Sequence, residues 1–227
     1  MAGNLSSYRS PSDLPAVIPV FPLAGALLLP RGQLPLNVFE PRYLAMVDAV
    51  LGGERVIGVV QPRFDLDEVR LEDRPPLCTI GCAGRVTAFQ ETEDGRYIIN
   101  LTGISRFRIL SEVENETPFR MCAITAEPFA EDFNPEAAEG GPIDRSTLIE
   151  TFRAYLDANE METDWPSVER ASNEVLVNAL SMMSPYGPAE KQALLEAPDL
   201  KARSETLIAI TEVALVRADR DGQARLN

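Results

Sequence analysis

The chain carries no histidine, three cysteines (Cys78, Cys82 and Cys122) and lysine only at Lys191 and Lys201, so few side chains are available for chemistry. A serine or cysteine nucleophile of the common kind hands its proton to an imidazole, and without histidine most such triads are excluded. A Ser-Lys pair needs a desolvated lysine. Lys191 and Lys201 are expected on polar faces of late helices, where a lysine keeps its ordinary high pKa. Cys78 and Cys82 stand four apart with Cys122 remote, and a structural zinc site needs four ligands. The cysteines therefore read as reduced, small buried hydrophobes rather than metal ligands or a disulfide framework. No Gly-x-x-x-x-Gly-Lys-Ser/Thr phosphate cradle occurs, and the pairs Gly52-Gly53 and Gly140-Gly141 lack a following lysine. The abundant carboxylates gather in one breaker-rich stretch and on helix faces, which suits solvation better than a glycosidase pair. No catalytic residue, metal ligand or cofactor site is assigned.

Chemistry being scarce, the elements and the surface carry the reading. With 21 basic and 35 acidic residues the formal charge is -14 and the pI about 4.5. That charge repels phosphate backbones and anionic lipid, and the arginines are scattered singly, so neither nucleic acid nor membrane is an expected partner. Residues 1–8 show neither a basic start nor an apolar stretch, which predicts no signal peptide and a cytoplasmic protein. The most apolar segment, Val17 to Phe39, is broken by Pro19, Pro22, Pro30 and Pro35 and is not read as a membrane span. At 227 residues and 45% hydrophobic content the chain can bury its own core, as one large domain or two small ones.

From Val17 to about Phe129, short β-branched and aromatic runs alternate with turn residues, as in Arg55 to Val60 and Met121 to Thr125, so this part reads as mainly β. Gly84 to Phe89 and Tyr97 to Leu101 flank Glu93-Asp94-Gly95, where Asp94-Gly95 would supply the positive φ angles of a tight hairpin. A helix is expected from Pro41 through Tyr43, Leu44, Val47 and Leu51, ending at Gly52-Gly53. The acidic, breaker-rich stretch 130–142 reads as a linker or mobile loop between two cores. Beyond it the period turns helical: Leu148, Phe152, Tyr155 and Leu156, then Val168 to Met183, a short helix from Pro188, and a last one capped by Asp199. No internal repeat is visible. The resulting division is a flexible tail 1–16, a β domain 17–129, a linker 130–142, a helical bundle 143–218 and a flexible tail 219–227.

Pro19-Val20-Phe21-Pro22-Leu23 followed by Leu34-Pro35-Leu36-Asn37-Val38-Phe39-Glu40-Pro41-Arg42-Tyr43 resembles the opening of the N-terminal domain of Lon-type proteases. The likeness continues in the family's order through Gly84-Arg85-Val86, Asp94-Gly95-Arg96-Tyr97, Leu101-Thr102-Gly103 and Arg106-Phe107-Arg108-Ile109, and on to Glu190 to Glu196 and Asp199-Leu200. It covers about residues 16 to 216. The resemblance implies an α+β fold: a PUA-like β-barrel with one helix, followed by a C-terminal helical bundle. It also implies a free-standing, non-catalytic form of the Lon substrate-recognition domain, because the chain ends where the family's coiled linker, ATPase and Ser-Lys peptidase would start. Among the signature residues, Phe39 and Tyr43 are expected in the core, and Glu40 with Arg42 at the helix start, the carboxylate facing unpaired N–H groups.

The implied function is a bacterial-type protein- or peptide-binding module, an adaptor or chaperone-like holder in protein quality control. Its partners would be unfolded or degron-bearing proteins and a protease system; the oligomeric state is not given by the sequence. Apolar residues stranded in polar loops are the candidate peptide contacts: Leu28 and Leu29 before Pro30-Arg31-Gly32, and Phe64 and Leu66 within Gln61 to Glu68. The competing reading tucks them beneath their own loops or into the barrel. A PUA-like small-molecule or RNA reader is the alternative function, with the net charge against RNA.

Overall fold

The structure is a computed structural model and describes residues 7–63, 75–134, 142–159 and 161–225, with side chains to residue 217. Its strands are β1 (Val17–Pro22), β2 (Gln33–Val38), β3 (Val56–Val60), β4 (Ile80–Glu91), β5 (Tyr97–Val113) and β6 (Arg120–Thr125). The helices are α1 (Pro41–Leu51), α2 (Arg145–Ala158), α3 (Trp165–Arg170), α4 (Asn173–Met183), α5 (Pro188–Glu196) and α6 (Leu200–Arg225). Strands precede helices in an α+β arrangement. The six strands form one mixed sheet in the order β2-β5-β4-β3-β1-β6, with β1 and β3 parallel, and β5 also pairs with β6. That last pairing returns the sheet upon itself: β5 is 17 residues long, so its first half carries β2 and its second half reaches β6. The strands near the closure are buried, as their Val/Ile-rich sequences require; β3, Val-Ile-Gly-Val-Val, is buried throughout.

The apolar residues fall into two buried clusters. One gathers Ile18, Val20, Val60, Phe107, Cys122 and Ile124 from strands of the closed circuit, with Phe133 from the short 3-10 helix Glu127–Phe133. The larger cluster joins Leu28, Leu29, Val47 and Leu101 to Leu148 of α2, Leu176 and Val177 of α4, Leu194 of α5 and Leu207 of α6. The helices therefore share their core with the strands. This corrects the expectation of two cores parted at residues 130–142: Asp132 and Phe133, the only buried members of that stretch among the described residues, are packed, and residues 135–141 lie outside the described residues.

Several local expectations are revised as well. The helix expected through Val168 to Met183 is two helices, broken where Ala171 is extended and Ser172 caps α4 by accepting the Val175 N–H. Asp144, Asp164 and Asp199 cap α2, α3 and α6 in the same way, accepting from Thr147, Ser167 and Ala202. The β4–β5 turn is wider than a two-residue Asp-Gly turn. Gly95 alone has positive φ there, 77°, and Thr92 N–H bonds the Arg96 carbonyl at 2.9 Å to close a loop of residues 92–96. Phe39, expected in the core, is 62% exposed, whereas Tyr43 is buried. Glu40 makes no side-chain bond to the amides of α1; its carboxylate pairs with Arg42 at 2.8 Å. Cys82 and Cys122 are buried, and burial pushes the Cys122 thiol up to about 11 and Cys82 further still. No helix among the described residues is long and apolar enough to cross a membrane.

Candidate functional site

The segment Leu27 to Gly32, singled out for its stranded leucines, lies where the strands meet the helices, with the side chains of Leu28 and Leu29 turned inward. Leu28 is 1% exposed and Leu29 fully buried, so neither is a surface contact in this structure. The physical reason lies opposite them in β5: a Cβ on Gly103 would sit 2.0 Å from the Leu29 carbonyl oxygen, so only glycine lets the loop press in and bury both leucines. Arg31 N–H donates to the Gly103 carbonyl at 2.8 Å and Gly103 N–H to the Gly32 carbonyl at 2.9 Å, pinning the loop. Phe64 and Leu66 lie outside the described residues.

What the loop presents outward is Arg31. Its backbone has φ 64°, the left-handed region that a side chain with a Cβ occupies at a cost of about 1–2 kcal/mol. Its guanidinium spans the seam: Nε reaches both oxygens of Glu174 on α4 at 2.8 and 2.9 Å, Nη2 bonds the same carboxylate, and Nη1 donates to the Asp132 carbonyl at 2.7 Å. Beneath it Arg106 and Asp132, both buried, form a two-pronged pair at 2.8 and 2.9 Å, and the Arg106 backbone N–H adds a third bond to the same carboxylate. Arg106 Nη1 also donates to the Ala197 carbonyl at 2.5 Å, tying β5 to the end of α5. Arg203 of α6 donates to the Leu194 carbonyl at 2.9 Å and to Asn178 Oδ1 at 3.2 Å; burial, and then the nearby Arg106 charge, push it down to about 10. Asn178 in turn donates to the Pro30 carbonyl at 3.2 Å.

Three clefts meet at Arg31. The widest, about 780 Å³, has Tyr8, Ile104 and Phe133 in its wall. A second of about 240 Å³ opens over Arg106, Asp199 and Arg203. A third of about 230 Å³ lies along α4 beside Val175, Ala179, Met182 and Met183. On α4 Val175 is 58% exposed and Met183 83% exposed, and with Ala179 between them they form an i, i+4, i+8 apolar stripe facing outward. Apolar walls flanking a charged, hydrogen-bonding centre are what an extended polypeptide segment needs, with side chains on the walls and backbone groups near the polar bridge. Sequence reasoning missed this stripe because Val175, Ala179 and Met183 follow the same period as the buried Leu176 and Leu180 beside them.

Lys191 is corrected too. It is buried on α5 rather than on a polar face, its Nζ donates to the Ser181 and Met182 carbonyls at 2.9 and 2.7 Å, and burial pushes its pKa down to about 8. It meets the desolvation condition for a nucleophile's base, but the carbonyls at the C-terminal end of α4 hold it, and the buried Ser181 hydroxyl makes no bond to it. The group works as a helix C-cap. Lys201 is exposed, with Glu205 at 3.9 Å.

Against known proteins, the family model of the ATP-dependent protease La (LON) substrate-binding domain matches residues 17–212. The chain is 28% identical over 211 residues to the Lon protease of Anaeromyxobacter dehalogenans, covering 86% of this chain and 23% of that protein. It is 29% identical over 224 residues to Lon protease 2 of Sorangium cellulosum, covering 92% and 26%. The chain thus spans about a quarter of the length of the curated relatives it matches. Among solved structures it is similar to a Lon N-terminal domain protein from Xanthomonas campestris, with TM-score 0.54 and 23% identity over 85% of this chain and 97% of that one. It is also similar to the N-terminal domain of a Mycobacterium avium complex Lon protease, with TM-score 0.59 and 20% identity over 86% and 98%. At these identities the structural likeness speaks to the fold.

Proposed function

Since the chain belongs to the LON substrate-binding domain family over residues 17–212, we propose that it is a non-catalytic module that captures exposed segments of other proteins along the strand–helix seam. The observation that carries the reading is the outward apolar stripe of Val175, Ala179 and Met183 beside the Arg31–Glu174 bridge, in a domain whose family is defined by substrate binding. Methionine suits the task because an unbranched, polarizable side chain repacks around unlike partners. In this reading the clients are unfolded or degron-bearing proteins, and the module serves a protease system in the cytoplasm as an adaptor or chaperone-like holder. The return of β5 to β6 supports a PUA-like barrel with one helix, α1, and the helices from α2 onward support a C-terminal bundle docked on it. Phe64 and Leu66 are proposed as further client contacts on the strength of their sequence setting alone.

The test is capture of an unfolded model protein, reduced and carboxymethylated α-lactalbumin, by wild type and by the Val175→Ser/Met183→Ser double variant. Both side chains are exposed, so the melting temperature should stay within a few degrees while capture falls several-fold, since apolar burial supplies about 25 cal/mol per Å². Equal capture by a well-folded double variant would remove the seam from consideration. The purified chain is also expected to show neither ATP hydrolysis nor casein cleavage; cleavage that survives repurification and disappears in Lys191→Ala would overturn the non-catalytic reading.

A further inference from the structure

Beyond the closed circuit, the first half of β5 carries β2 on one side and the far end of β4 on the other, and the two outer edges of this three-stranded ribbon differ. On β2, Gly103 N–H bonds the Gly32 carbonyl, and alternation from that pair turns the nitrogen of Pro35 away from β5. Proline has no N–H to offer there, so the outer edge of β2 is blocked at no loss to its own ladder. On β4, β3 pairing stops at Arg85, and the Val86 N–H goes to the Arg55 carbonyl at 2.8 Å. Thr87, Ala88, Phe89, Gln90 and Glu91 are then exposed one after another, and among the described residues nothing pairs their outer side. Alternation from the Thr92–Arg96 bond points the N–H and C=O groups of Phe89 and Glu91 outward.

We infer that the outer edge of β4 at residues 87–91 is a second binding surface, which takes an extended, cationic segment of a partner protein as an added antiparallel or parallel strand. Unpaired N–H and C=O groups at strand spacing are complementary to an extended backbone and to little else. The charge selects the sign. Asp94 is paired with Arg96 at 2.9 Å, which leaves the carboxylates of Glu91 and Glu93 exposed beside the edge. A second copy of this chain is disfavoured as the occupant, because it would bring the same two carboxylates and a net charge of -14 to the contact. This surface is distinct from the seam and does not depend on the seam being a client site.

The probe is a lysine-flanked Val-Thr-Val-Thr-Val peptide, with its counterpart N-methylated at alternate residues, titrated against the full chain. The unmodified peptide should bind and slow hydrogen exchange at the Phe89 and Glu91 amides. The N-methylated one, with the same side chains and charge, should bind about tenfold more weakly or worse. Phe89→Pro removes an N–H that the β5 ladder does not use and should lower affinity about tenfold, while Phe89→Ala should stay within about threefold. Equal binding of both peptides, or equal loss in Phe89→Ala and Phe89→Pro, would overturn the strand-addition proposal in favour of a side-chain contact. Self-association of the free chain abolished by Phe89→Pro would overturn the choice of partner. If Phe89→Pro fails to fold, the two-peptide comparison and amide exchange on wild type decide the matter without it. The Val175→Ser/Met183→Ser variant should bind the peptide like wild type, which separates this surface from the seam.

Discussion

At the residue scale the buried charges are the most consequential features. Asp132 holds Arg106 through three hydrogen bonds with both side chains buried, so Asp132→Ala leaves a guanidinium uncompensated and should cost about 3–5 kcal/mol in urea unfolding. Replacing both partners by apolar residues, Arg106→Met with Asp132→Leu, should cost less than the single change; a double variant no more stable than Asp132→Ala would show that the pair contributes more than mutual neutralisation. Lys191 offers a pH test. Its folded pKa, about 8, lies below the unfolded value of 10.5, so between those values the unfolded chain binds more protons and stability rises with pH. Measured against Lys191→Met, wild type should therefore gain in melting temperature from pH 8 to pH 10; a flat difference would mean that the ammonium is solvated. These residues were illegible in the sequence for a definite reason. Arg106, Asp132, Arg203 and Lys191 look like ordinary surface charges until elements remote in sequence close over them, and a loop rich in Pro and Gly hid the burial of Leu28 and Leu29 for want of its counterpart, Gly103.

Elements were easier to read than side chains. The order of strands then helices, the start of α1 at Pro41, the cap at Asp199 and the β4–β5 hairpin were each signalled by local chemistry, because propensity, caps and turn residues act over a few positions. Pairing between distant strands and the facing of helices depend on side chains far apart in sequence, so the closure of β5 on β6 and the outward stripe of α4 left no local trace. The placement of a boundary at 130–142 failed for a related reason: composition marks a segment as polar without revealing that Phe133 belongs to the same buried cluster as Ile124 and Phe107. Because Leu148, Leu176, Leu194 and Leu207 pack in the cluster that also holds Leu28 and Leu101, a fragment of residues 143–227 should show helix by circular dichroism but no cooperative melt. A sharp, independent transition in that fragment would restore the two-unit division.

For the molecule as a whole, a charge of -14 predicts that cationic peptides associate faster than anionic ones and that the difference shrinks between low and physiological salt. Stopped-flow association of the lysine-flanked peptide and a glutamate-flanked analogue would read this directly, and salt-independent rates would remove electrostatic steering from the account. The shared core has a further consequence, for synthesis. The strand circuit is complete once Thr125 has been added, yet the cluster that seals its helix-facing side is finished only by Leu207, 82 positions later. At roughly 5–20 residues per second the ribosome needs roughly 4–16 seconds to cover that distance. Throughout that interval the helix-facing side of the strands, with Leu28, Leu29 and Leu101, waits for its cover, so a newborn copy of this chain presents the kind of apolar surface that holding factors bind.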